Sequence, residues 1–168
     1  MLISERIGNA QVFTIDREDA GNAMAVELAD AMAAELDTLE QDRQLRALVV
    51  TGRGSRFFCS GGDVKRYRAL TERAELDSVF MRVRRLLDRF EALPVPVIAA
   101  VNGYAIGGGA EMLVACDVRF ADARARIGFP QARLGITAGW YGFERLARDC
   151  GYIHAMRLAA SGELVSAA

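Results

Sequence analysis

No stretch of this chain is apolar for the roughly 20 residues that a membrane-spanning helix requires. The longest apolar run, Val95 to Val101, suits a buried strand. The first residues, MLISERIGNAQVFTIDRED, lack the basic region followed by an apolar region that marks a secretory signal. Neither sign of charge dominates, with 21 Lys and Arg against 22 Asp and Glu and a net charge of -1. Such a balance suggests no nucleic-acid-binding surface and no membrane surface. Cysteine occurs three times, at Cys59, Cys116 and Cys150, far apart and in an odd number. That spacing fits no zinc motif, so no metal is expected, and reduced thiols in the cytoplasm are the plain reading. Lysine and histidine occur once each. His154 falls in an expected helix, where it reads as a surface or packing residue. Lys65 lies beside a glycine-rich loop, where it either meets a phosphate or is simply solvated.

What is present is ordinary globular material, 52% apolar and 26% charged. That supports one domain over residues 1–168 with a core that needs no disulfide or metal. Leu2 to Ile7 and Gln11 to Ile15 read as a hairpin around Gly8-Asn9. Arg17 to Asn22 is a polar loop. Leu28, Met32, Leu36 and Leu39 mark a helix from Val26. Leu45 to Thr51 reads as a buried strand, and Gly52 to Asp63 as a glycine-rich loop. Leu76, Val79, Phe80, Val83, Leu86, Leu87, Phe90 and Leu93 form the clearest helical stripe. Arg82, Arg84, Arg85 and Arg89 occupy its other face, which reads as a solvated helix face ahead of a basic patch. Pro94 and Pro96 end that helix. Val97 to Val101 is a strand turned by Asn102-Gly103, and Ala110 to Ala115 a short helix. Asp117 to Ala121 and Arg126 to Phe129 are short strands. Helices follow near Phe143 to Asp149 and Ile153 to Ala160. This order predicts an α/β or mixed α+β fold.

Two glycine-rich segments each follow a buried strand: Ser60-Gly61-Gly62-Asp63 and Gly107-Gly108-Gly109-Ala110-Glu111. Glycine lets a backbone approach a ligand with its N–H groups free. One donor from each loop suffices to grip a developing oxyanion. Many such loops are only tight turns, and each alone reads that way first. Nucleotide binding fits poorly. GGGAEM lacks the third glycine of G-x-G-x-x-G, and no G-K-[ST] follows either run. Glu111 lies three residues beyond Gly108, in the first helical turn. A carboxylate there can move a proton at carbon beside a carbonyl. Acidic residues also favour helix N-termini for electrostatic reasons alone.

The segment VPVIAAVNGYAIGGGAEMLVACDVRFADARARIGFPQARLGI resembles the signature of the enoyl-CoA hydratase/isomerase (crotonase) superfamily. FFCSGGDVKRY is similar to its first acyl-CoA loop, and Asn22-Ala23-Met24 also fits. The resemblance implies a spiral of ββα units with two sheets, assembly as homotrimers or hexamers, and an acyl-CoA thioester as partner. Coenzyme A would enter as part of the substrate, with no separate cofactor. It further implies that the amides of Gly62 and Gly108 form the oxyanion hole and that Glu111 transfers the proton. The backbone of Ser60, Gly61, Asp63 and Val64, with Lys65 nearby, would hold coenzyme A.

Three departures from the family pattern stand out. The second hydratase glutamate is replaced by Gln131, which hydrogen-bonds but does not exchange a proton at neutral pH. Trp140 and Tyr141 replace small residues and either floor the acyl pocket or pack under the loop. The Gly-Trp pair is similar to a decarboxylase-like branch that acts on malonyl-type thioesters. The chain also stops at SGELVSAA, where the family continues with a helical segment, so an exposed apolar surface is expected. The reading is an acyl-CoA-processing enzyme that stabilises a thioester enolate. The alternatives are a malonyl-type carboxyacyl-CoA decarboxylase and an inactive acyl-CoA-binding or assembly module.

Overall fold

The computed structural model describes residues 1–167, so Ala168, the last residue of the expected domain, lies outside them. The chain opens with the hairpin β1 (Leu2–Ile7) and β2 (Ala10–Ile15), followed by helix α1 (Val26–Leu39). Strands β3 (Ala47–Gly52) and β4 (Phe57–Cys59) lead into the short α2 (Val64–Tyr67) and the long α3 (Arg73–Ala92). Strands β5 (Val97–Val101) and β6 (Tyr104–Ile106) lead into α4 (Gly108–Leu113). Strands β7 (Val118–Ala121) and β8 (Arg126–Gly128) lead through a 3-10 turn, Pro130–Leu134, into α5 (Gly142–Cys150) and α6 (Tyr152–Ser161). A last strand, β9 (Leu164–Ser166), closes the described chain.

Strand order shows the spiral. One sheet runs β1-β2-β3-β5-β7 and the other β4-β6-β8-β9. Each strand pair from β3 onward gives its first strand to the five-stranded sheet and its second to the four-stranded one. The β2, β3, β5 and β7 neighbours are parallel, as are β4, β6 and β8. A crossover helix or turn must therefore separate successive pairs. β5 buries alternate residues, Val97, Ala99 and Val101, and β3 buries Leu48 and Val50. The α1 stripe of Leu28, Met32 and Leu36 and the α3 stripe of Val83, Leu86, Leu87 and Phe90 belong to the same core. Each such side chain contributes about 1.5–3 kcal/mol by leaving water.

The expected elements are present with shifted ends, and three strands went unread. The loop expected over 52–63 contains β4, and the Asn102-Gly103 turn feeds β6 at once. β9 was also unforeseen. Each is three residues long, too short to show a period. Leu134, Ile136, Tyr152, Ile153, Met156 and Leu164 are exposed. His154 is exposed, as its surface reading required. No helix among the described residues is long and apolar enough to cross a membrane.

Two asparagines tie the loops that matter later. Asn22 is fully buried and sits at φ 54, in the left-handed region that asparagine tolerates. Its Nδ2 donates to the carbonyls of Arg53 (3.0 Å) and Phe57 (2.7 Å), while the Arg17 amide donates to its Oδ1 (3.1 Å). Beside it, the Met24 amide donates to Gly61 O at 2.8 Å and the Asp63 amide to Met24 O at 3.1 Å. Asn102 mirrors this on the next turn of the spiral, donating to Gly52 O and Gly54 O, both at 2.8 Å. Replacing Asn22 with Ala removes three part-buried hydrogen bonds, although Phe57 O keeps Asn102 Nδ2 at 3.3 Å. The expected loss is about 3 kcal/mol of unfolding free energy. Urea unfolding checks it, and a loss below about 1 kcal/mol contradicts it.

Candidate active site

The two glycine segments leave the C-terminal ends of neighbouring parallel strands, β4 and β6, and so run side by side. Gly61 has φ 108, and a Cβ there would lie 3.1 Å from the Gly108 amide nitrogen and from Ile106 O. Only glycine permits both that backbone and that approach. Met24 uses the carbonyl of Gly61 and the amide of Asp63, which leaves the intervening Gly62 N–H unused. Gly108 opens α4, where the first N–H groups have no partner within the helix. Among the described residues, neither the Gly62 nor the Gly108 amide has a hydrogen-bond acceptor.

The three consecutive glycines at this turn answer three different constraints. Gly107 has φ 57. A Cβ at Gly108 would sit 2.3 Å from the Trp140 ring, and one at Gly109 would sit 1.9 Å from Cys59 O. The turn is therefore pressed between β4 on one side and an indole on the other. Gly62, Gly108, Glu111, Gln131, Tyr67 and Trp140 all line one cavity of about 190 Å³.

Glu111 is 2% exposed and accepts four hydrogen bonds. Its Oε1 takes Gln131 Nε2 and the Gly139 amide, both at 3.1 Å. Its Oε2 takes the amides of Trp140 at 2.6 Å and Gly142 at 3.0 Å. A Cβ at Gly142 would lie 2.2 Å from Glu111 Cγ, so the loop closes on the carboxylate only because that residue is glycine. Burial nonetheless pushes the Glu111 carboxyl above its ordinary 4.5, against the pull of these donors. Gln131 spends its amide on Glu111, and its Oε1 has no partner among the described residues. The Tyr67 hydroxyl is likewise buried without a partner, and burial pushes the phenol well up.

The other anticipated residues divide. Ser60, Gly61 and Val64 line the cavity, and Trp140 walls it with its 2% exposed ring. Asp63, Lys65 and Tyr141 lie outside the lining. The Asp63 carboxylate caps α2 through the Arg66 amide (3.3 Å) and pairs with Arg17 at 2.9 Å. Burial works against that carboxylate, yet Arg17 holds it below its ordinary value. Lys65 is exposed, which leaves its solvated reading in place. Tyr141 is 44% exposed, and its ring lies 4.5 Å from the Arg84 guanidinium. Tyr67 was missed, although Asp63 as an N-cap places it four residues on, at the end of the first turn of a helix. Among the described residues no group of three His, Cys, Asp or Glu stands close enough to hold a metal. Burial raises the Cys59 thiol to about 11 and Cys116 to about 12, so both stay protonated. A second cavity of about 430 Å³, lined by Phe129, Phe143 and Met156, shares Gln131, Ile136 and Thr137 with the first.

The family model for enoyl-CoA hydratase/isomerase matches residues 6–168. A probable enoyl-CoA hydratase of Bacillus subtilis (strain 168) is 37% identical over 155 residues, covering 92% of this chain and 59% of that protein. A short-chain-enoyl-CoA hydratase of Clostridium acetobutylicum is 35% identical over 171 residues, covering 99% and 63%. The crystal structure of an enoyl-CoA hydratase from Bacillus anthracis superposes with a TM-score of 0.94 at 31% identity, covering 99% of this chain and 64% of that one. The chain thus spans about three fifths of the length of these curated relatives.

A carboxyl whose folded pKa is raised favours folding while protonated. That contribution is fully present below the unfolded value near 4.5 and is lost as pH rises through the folded value. Wild type should therefore lose stability relative to Glu111→Gln as pH rises through that window, read by urea unfolding at successive pH values. A relative gain would mean that the four donors outweigh burial.

Proposed function

The chain belongs to the enoyl-CoA hydratase/isomerase family, and from that premise we propose that it processes an acyl-coenzyme A thioester by stabilising its enolate. The amides of Gly62 and Gly108 receive the thioester oxygen, and Glu111 moves the proton at the neighbouring carbon. The observation that carries this reading is a pair of N–H groups, from two touching loops, that have no partner among the described residues and share one cavity with a buried carboxylate. Fixed backbone donors in a dry site stabilise a developing oxyanion without reorganising, an effect of about 3–4 kcal/mol per donor. Burial adds to the case for Glu111. A carboxyl raised above the usual range takes a proton more readily than an exposed glutamate, and above its midpoint it is still ionised.

Gln131 takes a supporting part. Its amide holds Glu111, and its free Oε1 is an acceptor for the hydrogen of an attacking water or of a substrate hydroxyl. In hydration, water adds its oxygen to the β-carbon and a proton reaches the α-carbon. With glutamine at 131, Glu111 handles both proton movements in turn. Trp140 packs on Gly108 and excludes water from the oxyanion side. Ser60, Gly61, Gly62 and Val64 line the cavity, and in this reading their backbone offers edges to the adenine and pantetheine portions of coenzyme A.

Crotonyl-CoA hydration by the purified chain tests the proposal. Glu111→Gln should lower kcat by about 100-fold or more, with a far smaller change in KM. Gly108→Ala, whose Cβ displaces the indole, should also lower kcat by about 100-fold or more. Wild-type rates in Glu111→Gln would remove the glutamate from the mechanism. Release of CO2 from a malonyl-type CoA, with no hydration of crotonyl-CoA, would move the assignment to decarboxylation.

A further inference from the structure

The exposed-side arginines of α3 do not all do the same thing. Arg82 pairs with Asp30 at 2.8 Å, and Arg89 with Asp37 and Glu40, both at 2.8 Å. Arg84 has no carboxylate partner among the described residues. Its Nε donates to the carbonyl of Gly139 at 2.6 Å, its Nη1 meets Met81 Sδ at 3.7 Å, and its guanidinium lies over the Tyr141 ring. Phe80, one helical turn earlier, presses on the same residue, since a Cβ at Gly139 would lie 2.2 Å from its ring. Gly139 C=O and Trp140 N–H belong to one peptide group. That N–H makes the shortest of the four bonds to Glu111, at 2.6 Å to Oε2. Arg84 is therefore one peptide plane away from the carboxylate, and a hydrogen-bonded peptide transmits polarisation along its dipole.

We propose that Arg84 is a positioning residue for Glu111, fixing the Gly139–Trp140 peptide with its N–H on the carboxylate and lending that N–H its positive charge. This rests on the enolate-stabilising reading only for its effect on turnover. Its effect on the carboxylate itself is independent of that reading. Other groups share the surroundings. Arg145 on α5 donates to Trp140 O at 2.5 Å but is neutralised by Asp88 and Glu91, both at 2.6 Å. Glu144 stands in the first turn of α5. The Tyr67 phenol lines the same cavity from α2, and the Cys59 thiol lies on β4 beside the α4 turn. Both are neutral at physiological pH by reason of their burial. Of the two arginines that donate to this loop's carbonyls, Arg84 is thus the one without a counter-carboxylate among the described residues.

The test follows the Glu111 carboxyl carbon by NMR in glutamate-labelled full chain, the signal being assigned by its absence in Glu111→Gln. In Arg84→Met the titration midpoint should rise by about one pH unit, and in Arg84→Lys, which keeps the charge, it should stay within a few tenths of wild type. The acid limb of the crotonyl-CoA pH–rate profile should move with it. Thermal melts confirm that each variant is folded. An unchanged midpoint in Arg84→Met overturns the proposal. So does an equal rise in Arg84→Met and Arg84→Lys, which would mean that shape and not charge is at work. If Glu111→Gln leaves turnover intact, the proposed function fails, and the NMR midpoint still decides the case of Arg84.

Discussion

A carboxylate withdrawn from water must find donors, and Glu111 finds four within its own chain. Three of them are backbone amides of a single loop, 139–142, which therefore wraps the carboxylate. That wrapping sets the position of Trp140, whose ring lies against Gly108, and so sets one wall of the cavity. It also explains why the loop needs glycine at 142, where a Cβ would strike Glu111. Charge placement and shape thus have a common origin.

The second half of the site depends on the spiral. Because β4 and β6 are parallel neighbours, the loops leaving them emerge together, and each delivers a glycine amide that has no acceptor among the described residues. Asn22 and Asn102 hold these loops from behind with hydrogen bonds to the carbonyls of Arg53, Phe57, Gly52 and Gly54. Rigid backbone donors need such support. An amide free to turn toward water would bind an oxyanion no better than water does.

Much of this was legible in the residues. The α3 stripe follows from period and β5 from its continuous apolar run, and the two glycine runs marked the loops that meet. The spiral itself was not readable from periodicity, because β4, β6 and β9 have three residues each, and it came instead from the family resemblance. The partners of Glu111 lie 20 to 31 positions away on a loop and a 3-10 turn, and no local pattern predicts that closure. Trp140 and Tyr141 carry the same two readings, pocket floor or packing under the loop, but only Trp140 lines the cavity, while Tyr141, at φ 62, sets its ring beside Arg84. Arg84 was read as solvated, since helical spacing reports which face a residue occupies and not which loop will cross that face.

The central claim is that the Gly62 and Gly108 amides together grip a thioester oxygen. Infrared spectroscopy of crotonyl-CoA labelled with 13C at its thioester carbonyl, bound to the turnover-deficient Glu111→Gln chain, addresses it directly. The account predicts a carbonyl band displaced to lower frequency on binding, with the displacement lost when Gly108→Ala is added. A bound carbonyl vibrating at its free-solution frequency would contradict it.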